Sequence, residues 1–192
     1  MWHLEMELSE NKYNYILSEV KKHLEGHNKR IIHILGVVKL SEELAKKYNV
    51  DPIKAKIAAV LHDYSKYDNN IEVLDDYERR ESEKYPYLAH GYLSAYEAKN
   101  KFGITDIDII NAIKNHVVGR RGMSKLEEIV FIADFCEENR TYEDCIKARE
   151  ILKNKGIDEA ILYSCESSIK HSSSAHPNQL ELLKIYKEKI NA

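Results

Sequence analysis

Asp51-Pro52-Ile53-Lys54-Ala55-Lys56-Ile57-Ala58-Ala59-Val60-Leu61-His62-Asp63 opens with a helix signal and ends on two residues that do not belong in an apolar core. Asp51 is of the N-cap type, and Pro52 suits the first helical turn, where a backbone donor is not needed. The run from Ile57 to Leu61 is apolar throughout. The helix then delivers His62 and Asp63 at its C-terminal end, where it should still face the interior. A charged and a titratable group in that place must be paired, hydrogen-bonded or bound to a metal.

Working outward from this helix, the chain reads as helices and little else. Ser9 caps a helix over 10–25 that carries Tyr13, Ile16, Leu17, Val20 and Leu24 on one face, and Gly26 ends it. The next helix shows a stripe of Ile31, Ile32, Leu35, Val38, Leu44, Ala45 and Tyr48, with His33 inside the apolar pattern. The charged segment 68–83 holds one apolar patch, Ile71 to Leu74, and reads as a short helix plus loop, not a domain boundary. Leu88 to Phe102 is helical with His90 in its first turn, closed by Gly103. Thr105 is expected to cap a helix with Ile109, Ile110 and Ile113 that carries His116 in its last turn before Gly119. Ser124 and Glu127 fit a capping box, so that Leu126, Ile129, Val130 and Ala133 form one face leading to Asp134. Glu128 to Ala133 has strand propensity as well. Helices over 142–152 and 157–169, a break at 172–177 and a last helix to Ile190 complete the chain. The fold class is all-α, one domain over 1–192, with the helix at 10–25 packed on the rest.

Composition narrows the function. A chain of 192 residues is the size of one domain with a substantial core. No apolar run approaches the roughly 18 residues of a membrane span. The N-terminus, Met1 to Glu5, has no secretory pattern, so a cytoplasmic protein without a membrane partner is expected. Cys136, Cys145 and Cys165 are odd in number and lack a C-x-x-C pair, which reads as reduced thiols. A formal charge of −3 gives no reason to bind a nucleic acid polymer. One local basic stretch, Lys114, Arg120, Arg121 and Lys125 around His116, is a candidate cradle for a phosphate chain. Thirteen tyrosines against three phenylalanines suit a partly exposed interface, such as a homodimer.

Read singly, a helical histidine is more often an ordinary core or surface residue than a ligand, and His3, His23, His27 and His171 are read so. The ordered set His33, His62, Asp63 and Asp134 differs. These residues come from three helices, at positions where apolar packing is expected, and a bundle can project them into one interior cavity. Imidazole with carboxylate suits Fe, Mn, Zn, Ni or Co, with iron or manganese first, whereas Mg or Ca sites are dominated by oxygen. An ion so held can polarise a phosphoryl oxygen and supply hydroxide near neutral pH, which is hydrolytic chemistry.

This ordered set on an all-helical scaffold resembles the HD-domain superfamily of metal-dependent phosphohydrolases. Arg30 to Gly36 around His33, Leu61 to Lys66, His90-Gly91, Asn115-His116 with Gly119-Arg120, and Ile132-Ala133-Asp134 with Glu138-Asn139-Arg140 resemble more closely the bacterial YqeK family, over about residues 28–180. The resemblance implies a helical bundle with its metal site in an interior cleft. It implies symmetric hydrolysis of diadenosine tetraphosphate to two ADP, by attack of hydroxide held on the metal upon the polyphosphate bridge.

Carried over residue by residue, His33, His62, Asp63 and Asp134 would hold one or two ions, iron foremost. Asp63, Lys66, His90 and His116 would be catalytic, and Arg30, Asp63, Lys66, His90, His116, Arg120, Arg140 and His176 would face the nucleotide. His90 and His116 would sit on the phosphates or on a second ion. Val117-Val118 stands where the family has threonines, which removes hydroxyl contacts from the phosphate cradle. Two alternatives stay open: an HD-class nucleotidase or phosphodiesterase for mononucleotides or cyclic nucleotides, and a non-catalytic sensor that binds metal and nucleotide.

Overall fold

A computed structural model describes residues 8–172 and 174–191, and among these there are ten α-helices and no strand. The helices are α1 (Glu10–His23), α2 (Asn28–Lys47), α3 (Pro52–Leu61), α4 (Asp76–Lys84), α5 (Ala89–Asn100), α6 (Ile107–Asn115), α7 (Lys125–Cys136), α8 (Glu143–Asn154), α9 (Ile157–Lys170) and α10 (Pro177–Asn191). Short 3-10 turns at Ile71–Val73 and Pro86–Leu88 flank α4. Met1 to Glu5, read above for a secretory signal, and Ser173 in the expected break lie outside the described residues. No described helix is long and apolar enough to cross a membrane.

The opening helix is the centre of the bundle. Asp51 caps α3 by accepting from the Ile53 amide at 2.8 Å, and every residue from Ala55 to Leu61 is buried. An all-round buried helix has neighbours on every side. Here they are α1, α2, α5, α6 and α7. Two buried lysines tie α1 down: Lys56 Nζ meets the Glu10 carboxylate at 2.7 and 2.8 Å, and Lys12 Nζ donates to the Phe102 carbonyl. The capping box of α7 is present, and its helix runs straight through Glu128 to Ala133 despite their strand propensity.

Two local expectations are corrected. The N-cap of α6 is Asp106, not Thr105, because the Asp106 carboxylate reaches both the Asp108 and Ile109 amides. On α2 the buried residues are His33, Ile34, Gly36, Val37, Val38, Ser41, Leu44 and Ala45, whereas Ile32 is 51% and Leu35 37% exposed. The buried arc is centred on His33 and Val37, so Ile32 and Leu35 fall outside it.

Candidate metal centre

Three helix ends and one helix face converge. His62 is the C-cap of α3, after which tight turns, Tyr64 N to Leu61 O and Lys66 N to Asp63 O, carry the chain past Asp63 to Lys66. His33 comes from α2, His116 is the C-cap of α6, and Asp134 lies in the last turn of α7. His33 Nε2 stands 3.0 Å from Asp134 Oδ1 and 3.7 Å from Asp63 Oδ2. His62 Nε2 stands 3.4 Å from Asp63 Oδ2 and 3.7 Å from Asp134 Oδ1. His33, His62 and Asp134 bring their ligand atoms within 4.8 Å of one another, and so do His62, Asp63 and His116.

The fit to a metal ion rests on the other ring nitrogens. His62 Nδ1 donates to the Ala59 carbonyl at 2.6 Å and His116 Nδ1 to the Ile113 carbonyl at 2.7 Å. His33 Nδ1 lies 3.2 Å from Glu137 Oε1. A carbonyl or carboxylate oxygen can only accept, so each Nδ1 carries a proton, and in the neutral ring each Nε2 can offer a lone pair to the shared space. His33 Nε2, His62 Nε2 and Asp63 Oδ1 are buried without a hydrogen-bond partner. Unpartnered buried polar atoms are costly, and a transition-metal ion would satisfy all three. The residues fit.

The electrostatics are those of a free ligand set. Burial penalises the His62 imidazolium, but Asp63 and Asp134 outweigh it and hold the group up to about 9. Burial would raise both carboxyls. Against it, His62, His90 and Lys66 hold Asp63 well below the usual range, and His33, His62 and Arg140 do so for Asp134. His116 is pushed down to about 3 by burial and by repulsion from His62 and His90, so it is neutral.

A second layer surrounds this set. Arg30 Nη1 closes on Asp63 Oδ2, and Arg140 Nη2 donates to Asp134 Oδ1 at 2.9 Å. His90 Nε2 sits 3.1 Å from each of Lys66 Nζ, His116 Nε2 and Asp63 Oδ1. The meeting of His90 with His116 depends on Gly91, where a Cβ would stand 2.9 Å from the Lys114 carbonyl of α6. A cleft of about 600 Å³, lined by Arg30, His33, Glu137, Arg140, Tyr67 and Tyr142 among others, reaches His33 of the ligand set.

Nine of the eleven residues singled out as metal, catalytic or substrate contacts thus meet in one place: Arg30, His33, His62, Asp63, Lys66, His90, His116, Asp134 and Arg140. Two are engaged elsewhere. Arg120 forks onto Glu127, with Nε 2.7 Å from Oε2, and His176 spans from Glu81 at 3.3 Å to the Asn178 amide at 3.1 Å. The basic stretch around His116 is not a free cradle, because every one of its cations is held by a glutamate: Lys114 by Glu78, Arg120 by Glu127, Arg121 by Glu181 and Lys125 by Glu128. Sequence reading missed Glu137, 1% exposed, which fixes the His33 ring.

Comparison with known proteins agrees with this geometry. The family model for the HD domain matches residues 30–139. The chain is 32% identical over 158 residues to the symmetrical bis(5′-nucleosyl)-tetraphosphatase of Bacillus subtilis, spanning 80% of this chain and 83% of that protein. It is 33% identical over 172 residues to the protein of the same name from Halalkalibacterium halodurans, spanning 85% and 91%. The crystal structure of a predicted HD superfamily hydrolase involved in NAD metabolism, from Clostridium acetobutylicum, matches with a TM-score of 0.80 and 31% identity over 92% of this chain and 97% of that one. The chain belongs to the HD-domain family and, within it, to the branch that contains the symmetrical bis(5′-nucleosyl)-tetraphosphatases.

Proposed function

We propose that this chain hydrolyses diadenosine tetraphosphate and related dinucleoside polyphosphates symmetrically, to two ADP, with iron as the ion held by His33, His62, Asp63 and Asp134. The names of its relatives support the reaction. The observation that carries it is the convergence of Arg30, Arg140 and Lys66 on the two carboxylates of the ligand set, with Arg30, Arg140 and His33 also lining an open cleft. A site for a polyphosphate needs this arrangement, because phosphoryl transfer is catalysed mainly by positioning and by cations placed around the transferred group.

Bound in this set, the ion would supply Lewis-acid polarisation of a phosphoryl oxygen and a lowered pKa for water. The protein supplies the rest. Arg30 and Arg140 are planar forks that can exchange a carboxylate oxygen for a phosphate oxygen as substrate arrives. Lys66, 3.6 Å from Asp63 Oδ1, provides a compact charge for the departing phosphate. His116, neutral and with Nδ1 already used on Ile113, has only a lone pair to offer. It therefore cannot donate to a phosphate, and its lone pair serves as a ligand. Phosphate contacts fall to His90 and the cations.

The test is product analysis. Protein reconstituted with ferrous ion and incubated with diadenosine tetraphosphate should release ADP as the sole nucleotide, resolved by ion-exchange chromatography. AMP with ATP in equal amounts would overturn the symmetric reading. Preferred turnover of AMP, dGTP or a cyclic dinucleotide would move the chain to another HD activity.

A further inference from the structure

The cleft that reaches His33 is lined by two similar groups of residues. In the first, Arg30 bonds Asp63, and Tyr67 stacks on His27, one turn before Arg30, with ring centroids 3.8 Å apart and planes 19° from parallel. In the second, Arg140 bonds Asp134, and Tyr142 follows two residues later. His33 Nε2 lies within 3.7 Å of Asp63 and 3.0 Å of Asp134, and His33 and both tyrosines line the same cleft. Each group therefore repeats one combination: an exposed aromatic ring, an arginine and a carboxylate of the ligand set.

Neither ring is explained by folding. Tyr67 is 54% and Tyr142 74% exposed. Tyr142 occupies the N-cap of α8, a position that favours short polar side chains, and makes no capping bond there. His27 backs one face of Tyr67, which steadies that ring and leaves its other face available.

We propose that Tyr67 and Tyr142 are two nucleobase platforms, one on each side of the ligand set, that hold the ends of a single dinucleoside polyphosphate. This rests on the dinucleoside reading of the site given above. With a base stacked at each end, the bridge is centred over His33 and its midpoint is presented to the ligand set. Arg30 and Arg140 then each meet the phosphates of their own half. Stacking discriminates weakly among bases, since every base has a π face, so the platforms select for two bases and not for adenine.

The test uses the metal-loaded full chain and its Tyr67→Ala, Tyr142→Ala, Tyr67→Phe and Tyr142→Phe variants. Each alanine variant should raise KM for diadenosine tetraphosphate about tenfold with kcat little changed, the signature of lost uniform binding. Each phenylalanine variant retains the ring and should behave as wild type. Calorimetric titration with ADP should find two sites per chain in wild type and one in each alanine variant. The platforms are overturned if either alanine variant keeps the wild-type KM and the wild-type ADP stoichiometry. A protein that turns over no dinucleoside, yet loses one ADP site in each alanine variant, would fail the proposed reaction and uphold the platforms.

Discussion

The carboxylate of Glu137 lies over the bare Cα of Gly36, where an added methyl group would stand 2.0 Å from Oε2. This contact lets α2 present His33 with its Nδ1 on Glu137, while the other carboxylate oxygen accepts from the Asn139 backbone amide at 2.6 Å and its side chain at 2.8 Å. Partners of this kind orient a metal-binding histidine and raise its basicity.

Glu137→Gln should therefore weaken metal binding by about 10- to 100-fold while leaving the helical circular dichroism spectrum intact. Gly36→Ala should show the same loss and in addition destabilise the fold by about 1–3 kcal/mol, because the neighbours have to shift. Metal titration and thermal unfolding of the two variants separate these effects. Full metal affinity in both would remove Glu137 from the site.

The ligand set makes metal binding pH-dependent in a definite direction. His62, up to about 9 in the metal-free protein, carries a proton at neutral pH and must lose it to become a ligand. Affinity should rise with pH by about tenfold per unit below about 9 and level off above it. Calorimetry at pH 7 in buffers of different ionisation enthalpy should detect a proton released for each ion bound. Binding with no proton release would show that His62 does not enter the coordination sphere.

The cysteines give a check that is independent of the metal. All three are buried, and burial pushes the Cys136 and Cys165 thiols up to about 12. Their thiolate fraction at pH 8 is on the order of 10⁻⁴, so dithionitrobenzoate should not label them until the protein is unfolded. The raised thiols stabilise the fold fully below about 9, their ordinary value, and this contribution is lost as pH rises towards 12. The urea midpoint should accordingly fall over that alkaline window. Rapid labelling of the folded protein at pH 8 would contradict the packing around α7 and α9.

The helices and the ligand set were legible because periodicity and chain order suffice for them. Apolar spacing located α1, α3 and α7, and His33, His62-Asp63 and Asp134 stood out as polar groups at core positions. What escaped depends on contacts between distant segments. Glu137 sits in the polar run Glu137-Glu138-Asn139-Arg140 and has no pattern of its own; the available signal was Gly36, three residues beyond His33. The basic stretch around His116 looked free only because its partners Glu78, Glu127, Glu128 and Glu181 come from α4, α7 and α10. Ile32 and Leu35 matched a helical stripe, but His33 and Gly36 fix which arc of α2 turns inward.

Titrating metal-stripped protein with ferrous ion in the absence of oxygen tests whether one buried His and Asp set holds the ion on which hydrolysis depends. ADP release from diadenosine tetraphosphate is followed in parallel with bound iron, in wild type and in His62→Ala. ADP release should be absent at the start and track bound iron, and His62→Ala should lose both together. Turnover by the fully stripped protein, or iron binding that survives His62→Ala undiminished, would show that hydrolysis does not depend on an ion held by this set.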